Sequence, residues 1–272
     1  MYTTVRATNG FKLNHSDCVR GMAAMDPKSV DVVVTSPPYN LGIKYTKFAD
    51  DQSREEYLAW CGTWIKQLRR VIADDGALFL NIGSSPSNPL LPFQLALEVS
   101  KHLVLQNTFH WIKAITVEPR GEEQFSVGHF KPISSHRFVN DCHEYVFHFT
   151  HSGNVRINRL AVGVPYADKS NIARWSHTKG KDLRCRGNTW FVPYKTITSR
   201  DGERPHPATF PVGLATRCFQ IHGVKDTTKA MEPFLGIGTA AEAALECGIA
   251  QFTGFEIDEV YLEFARQRIG LR

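Results

Sequence analysis

Val32 to Thr35 is a run of three valines and a threonine, followed directly by Ser36, Pro37, Pro38 and Tyr39. The β-branched residues suit a buried strand, but proline has no N–H to give to a neighbouring strand and holds its own φ near one value. The strand is expected to stop at Thr35 and Ser36, and the next residues to form a stiff corner carrying a hydroxyl, backbone carbonyls and an aromatic ring. Acceptors mounted on so rigid a backbone lose little energy to reorganisation when they act.

Far along the chain, Met231 to Gly248 places Gly236 and Gly238 between a strand-like segment and a helix. Glycines there let the backbone approach a ligand, and the helix N-terminus behind them offers free N–H groups to a carboxylate. The following strand ends in GFEID, which puts Glu256 where an acid can bind both hydroxyls of a ribose. The turn lacks the third glycine of the dinucleotide pattern, and no phosphate-gripping lysine follows it, so NAD and ATP fit less well. A cofactor with a ribose and a carboxylate but no phosphate fits better, and S-adenosyl-L-methionine has that make-up.

The mild overall charge of +5 hides an uneven distribution. Between Val155 and Arg200 ten basic side chains face only Asp168 and Asp182, a net of eight positive charges, with Tyr166, Trp175, Trp190 and Tyr194 interleaved. Cations beside flat rings suit phosphates and unstacked bases, so this stretch is expected to contact nucleic acid. Arg174, Lys179, Lys181, Arg184 and Arg186 are its candidate DNA-binding residues, phosphate contact being the commoner role. The six cysteines are scattered without a CxxC pair, and the histidines near residues 129–151 have no partners at ligand spacing, so no metal site is expected. Met1 to Phe11 lacks a secretory-signal pattern and no apolar run reaches membrane-spanning length, which leads us to expect an intracellular protein, cytoplasmic or nucleoid-associated.

The elements that must position these residues alternate. SVDVVVTS, GALFLNIG, LVLQNTFHWIKA, CHEYVFHFT, KAMEPF and QFTGFEID read as strands; SREEYLAWCGTWIKQLRRVI, PFQLALEVSKHL, GTAAEAALECG and EVYLEFARQRI read as helices. Ser53 and Glu56 form a capping-box pattern at the start of the longest helix, and Asp74, Asp75 and Gly76 should punctuate its end. Such alternation predicts an α/β fold, a mostly parallel sheet with helices on both faces. The chain's 272 residues suffice for a full core. Residues 1–115 and 202–272 are expected to form the catalytic domain, and 116–201, rich in Gly, Ser, His, Asn and Arg, a smaller basic target-recognition insert.

TSPPY, EPFLGIGT and GFEID in this order resemble the S-adenosylmethionine-dependent DNA amino-methyltransferases, and a catalytic tetrapeptide preceding the cofactor turn, with the basic region between them, is similar to their β group. The resemblance implies a Rossmann-like S-adenosylmethionine-dependent methyltransferase sheet, in which Ser36, Pro37, Pro38 and Tyr39 are catalytic and Phe234, Gly236, Gly238 and Thr239 form the cofactor loop. It further implies that Glu256 binds the ribose, that Asp17 in NHSDC approaches the adenine, and that Thr209 in RPHPATFP contacts the methionine end. Trp111 and Lys113 in HWIKA are similar to the family's strand beyond the catalytic loop. Glu232 stands where the family usually has Asp, and Ser36 where adenine-specific members mostly have Asp or Asn.

An exocyclic amine is a poor nucleophile because its lone pair is delocalised into the ring. Drawing it toward tetrahedral geometry needs acceptors for both hydrogens, which Ser36 Oγ and the Pro37 carbonyl would supply, while Tyr39 stacks on a base extruded from its helix. The resemblance favours cytosine N4 over adenine N6. It implies double-stranded DNA as the partner and leaves room for a cognate restriction endonuclease and a homodimer. An RNA or protein-glutamine methyltransferase, or a non-catalytic DNA-binding protein of the same fold, are the rival readings.

Overall fold

A computed structural model describes residues 10–43, 45–118, 121, 123–128, 130, 133–193 and 209–271. His129, Tyr194, Lys195, Arg200 and the 204–208 part of RPHPATFP lie outside the described residues.

The strands, in chain order, are β1 (Phe11–His15), β2 (Val30–Thr35), β3 (Ile72–Ile82), β4 (Val104–Ile112), β5 (Ala114–Val117), β6 (Phe125–Gly128), β7 (His143–Thr150), β8 (Thr189–Phe191), β9 (Lys229–Glu232) and β10 (Gln251–Glu256). Among the described residues the α-helices are α1 (Cys18–Ala23), α2 (Arg54–Val71), α3 (Leu91–Ser100), α4 (Ser170–Arg174), α5 (Val212–His222), α6 (Thr239–Glu246) and α7 (Glu259–Ile269). Eight strands make one sheet in the order β1-β10-β9-β2-β3-β7-β4-β8, and β5 and β6 pair separately. Within the large sheet only β7 runs antiparallel to its neighbours. One edge therefore gathers the carboxyl ends of seven strands and the amino end of β7, which is where ligands of open α/β sheets bind.

The sheet is buried on both sides, as a continuous valine run requires. Val32 and Val34 point into one core with Leu214, Phe219, Ala241 and Leu262 of α5, α6 and α7. Val33 and Leu78 point into the other with Trp64, Leu68, Leu95 and Met22 of α2, α3 and α1. The capping box of α2 forms as predicted: Glu56 N–H donates to Ser53 Oγ, and Ser53 N–H donates to the Glu56 carboxylate at 3.0 Å.

Two expectations change. Asp74 to Gly76 do not separate helix from strand; β3 starts at Ile72 and these residues bulge, with Val30 opposite Ile72 and Val32 opposite Ala77. Gly76 suits the bulge because a Cβ there would lie 2.8 Å from the Asp31 carbonyl. The insert expected at 116–201 is interrupted by β7, which lies between β3 and β4 with Phe147 and Phe149 buried. An apolar strand so placed belongs to the central sheet, as does the short edge strand β8, and the more exposed segments on either side of β7 are the ones that stand apart from it.

Candidate active site

The corner after β2 is held from three directions. Tyr57 of α2 donates to the Pro38 carbonyl at 2.7 Å, which leaves the Pro37 carbonyl as the other candidate acceptor beside Ser36. Asn40 turns the chain at φ 53°, a left-handed conformation that asparagine tolerates, and exchanges hydrogen bonds of 2.8 Å with the backbone of Gln52. The buried Asp50 carboxylate collects the N–H groups of Asn40, Leu41 and Ile43 at 2.8–3.0 Å. The stiffness expected of the prolines is thus shared by a carboxylate downstream.

The cofactor-loop residues converge on the ends of β9 and β10. Gly238 sits at φ 80° at the start of α6, and a Cβ there would come within 2.9 Å of Ala265 in α7. Gly236 N–H donates to Glu256 Oε2 at 2.8 Å and Asp258 N–H to Oε1 at 2.9 Å, so Glu256 braces the turn as well as facing the cavity. Burial raises the Glu256 carboxyl, and those backbone N–H groups partly offset the rise. Phe234 packs its ring on Trp60 and Trp64 of α2, centroids 5.6 and 5.5 Å away. Asp17 caps α1 through the N–H groups of Val19 and Arg20 and still lines the cavity.

Glu232 lies beneath both halves. Its Oε1 accepts from Thr35 Oγ1 at 2.5 Å and from Phe234 N–H at 3.2 Å, joining the residue before Ser36 to the cofactor loop. It is buried, and Oε2 has no hydrogen-bond partner among the described residues; burial holds this carboxyl well above the usual carboxylate range.

Tyr39 is not only a ring. Its hydroxyl lies 2.8 Å from Ser36 Oγ and donates to Glu144 Oε2 at 3.0 Å, while Asn81 Nδ2 donates to both that carboxylate oxygen and the Tyr39 hydroxyl at 2.8 Å. Lys113 pairs with Glu144 Oε1 at 3.2 Å. One cavity of about 270 Å³ is lined by Ser36 to Tyr39, Asn81 and Glu144 together with Asp17, Thr209, Gly236, Thr239 and Glu256. The buried Asn81 and Glu144 were missed from sequence: a lone polar residue in an apolar strand, as Asn81 is in GALFLNIG, marks a buried group without naming its partner, and Glu144 stands among other polar residues in CHEYVFHFT.

The structure does not bring the basic candidates into that cavity. Arg174, Lys179, Lys181 and Arg184 are exposed on the segment after β7, whereas Arg186 is half-buried and donates to the Val162 carbonyl at 2.8 Å. Arg217 of α5, not anticipated, donates to the Phe191 carbonyl at 3.1 Å, and burial, followed by the charge of nearby Arg186, lowers its guanidinium below the usual range. Trp190 is core, stacked on Phe109 at 4.2 Å, and out of reach of a base. His148 is likewise buried in the sheet, stacked on Phe79.

The family model described as DNA methylase, covering N6 and N4 methyltransferases, matches residues 30–267. The chain is 29% identical over 274 residues to the type II methyltransferase M.ScaI of Streptomyces caespitosus, covering 96% of this chain and 82% of that one. Its fold is similar to that of PvuII DNA methyltransferase (cytosine-N4-specific), with TM-score 0.68 and 16% identity over 96% of this chain and 86% of that one. It is also similar to TTHA0409 from Thermus thermophilus, a putative DNA modification methylase, complexed with S-adenosyl-L-methionine, with TM-score 0.62 and 20% identity over 96% and 95% of the two chains. With a match of that extent laid over a tetrapeptide and a glycine turn that share one cavity, the chain belongs to the DNA methylase family of N6/N4 amino-methyltransferases.

Proposed function

We propose that this DNA methyltransferase modifies the N4 amine of cytosine in a base turned out of duplex DNA, with S-adenosyl-L-methionine as donor. The observation that carries the reading is the single cavity walled by Ser36–Tyr39 and by the Gly236–Glu256 pair. Its donor set fits the cofactor: a carboxylate at the end of β10, backbone N–H groups at the start of α6, and Lys47 as the one Lys or Arg among the lining residues described, which is a poor cradle for phosphates. When bound, the cofactor supplies an electrophilic methyl group on a sulfonium.

The chain's own residues do the rest. Ser36 Oγ and the Pro37 carbonyl accept the two amine hydrogens and draw the nitrogen out of conjugation. Glu256 and Asp17 hold the nucleoside portion, Thr209 and Thr239 the methionine portion, and Phe234 and Glu232 keep the loop in place. The basic segment with Arg174, Lys179, Lys181 and Arg184 takes DNA phosphates, and Arg186 stiffens it from within. Cytosine is favoured by Ser36 at the head of the tetrapeptide and by the likeness to a cytosine-N4-specific fold neighbour.

The test is mass spectrometry of nucleosides from duplex DNA treated with the purified protein and isotope-labelled cofactor. N4-methylcytosine carrying the label is expected; N6-methyladenine alone would overturn the cytosine assignment.

A further inference from the structure

A serine hydroxyl can donate or accept, and only an acceptor helps here. We infer that Glu144 is the positioning residue that fixes this choice, acting on Ser36 through the Tyr39 hydroxyl. The inference rests on the amine-methylation reading above and deepens it.

The direction of each hydrogen follows from the partners. An ionised carboxylate only accepts, so Tyr39 must spend its one hydrogen on Glu144 Oε2, 3.0 Å away. The alternative acceptor, the Asn81 backbone carbonyl, is farther, at 3.3 Å, and uncharged. With its hydrogen spent, the Tyr39 oxygen can only accept, and it does so from Asn81 Nδ2 and from Ser36, both at 2.8 Å. Ser36 therefore points its hydrogen at Tyr39 and presents only lone pairs to the cavity. Lys113, at 3.2 Å from the other carboxylate oxygen, supplies the countercharge to the ionised Glu144 that the chain of donors requires.

The elements explain why this works at a distance. Tyr39 follows β2, Asn81 is the last residue but one of β3, Lys113 follows β4, and Glu144 is the second residue of the reversed strand β7. Because β7 alone runs backward, its first residues lie at the same sheet edge as the last residues of the others. Gly83 leaves the room: a Cβ there would sit 3.0 Å from the Glu144 side chain and 3.2 Å from the Tyr39 ring.

The test compares Glu144→Gln, Tyr39→Phe and the double variant with wild type, measuring kcat, KM for DNA, cofactor affinity and melting temperature. A glutamine can donate to Tyr39 and reverse the chain, so kcat should fall by about 100-fold, the scale for one misdirected acceptor. Cofactor affinity should stay within about twofold, because no cofactor contact is touched. Glu144→Asp should restore part of the rate. On the Tyr39→Phe background, itself slowed, Glu144→Gln should cost nothing more, since the link is already cut. A Glu144→Gln enzyme with wild-type kcat, or additive losses in the double variant, would overturn the inference. If Glu144→Gln does not fold, Tyr39→Phe alone decides, and full activity in it is the contrary result. Should wild type yield only N6-methyladenine, the target assignment fails while the Glu144 comparison still stands or falls by these rates.

Discussion

Glu232 shows how one side chain can serve two ends of a site. It receives Thr35 at the end of β2 and Phe234 in the glycine turn, and burial raises its carboxyl well above the usual range. The sign of its pH effect follows. A carboxyl whose pKa is raised on folding favours the folded state below its unfolded pKa, and that contribution is lost as pH rises, because the unfolded chain ionises and the folded one resists. Glu232→Gln, which imitates the protonated acid, should therefore gain stability on wild type as pH rises from about 5 to 8, followed by urea unfolding at each pH. A constant difference across that range would show that Glu232 is ionised in the fold. At this scale the sequence was informative where neighbours along the chain decide the chemistry. Ser36 to Tyr39, Gly236 and Gly238 announce themselves by type and spacing. Glu144 and Asn81 do not, because they meet Tyr39 only through strand pairing between β3 and β7, positions more than sixty residues apart.

The elements were legible for the same reason. α2 declares itself by its capping box and α7 by its apolar period, and both run where the residues predict. The reversal of β7 is not written in its own residues, since a buried strand looks alike in either direction; it is set by the connections on either side. Nor does the bulge in β3 show itself, because Asp-Asp-Gly reads as a turn until β2 is seen to pair across it. Where loop meets element, the glycine turn makes a sharper demand. Gly238 combines φ 80° with an approach to Ala265 that a methyl group would reduce to 2.9 Å. Gly238→Ala should cost about 1–3 kcal/mol of stability by strain and overpacking and weaken cofactor binding with it, as read from thermal unfolding and calorimetric titration. An alanine variant with an unchanged melting temperature and affinity would mean that the turn is not held as described.

For the molecule as a whole, the sheet edge unites two parts that the chain keeps apart, the Ser36–Tyr39 corner and the glycine turn, while the basic segment that lies between them in sequence stays outside their cavity. The order of motifs made the fold family readable, and the match over residues 30–267 agrees with it. The extent of the recognition insert was less readable, because β7 is apolar core set in a polar, basic surround. The proposed function divides labour accordingly, assigning affinity for DNA to the exposed basic segment, affinity for cofactor to the surroundings of Glu256, and rate to the corner after β2. Ser36→Ala tests that division most directly, by single-turnover methylation measured alongside cofactor affinity and duplex affinity across salt concentrations. The rate should fall by about 100-fold or more with both affinities and the salt slope unchanged. Wild-type turnover, or a loss that resides wholly in binding, would contradict it.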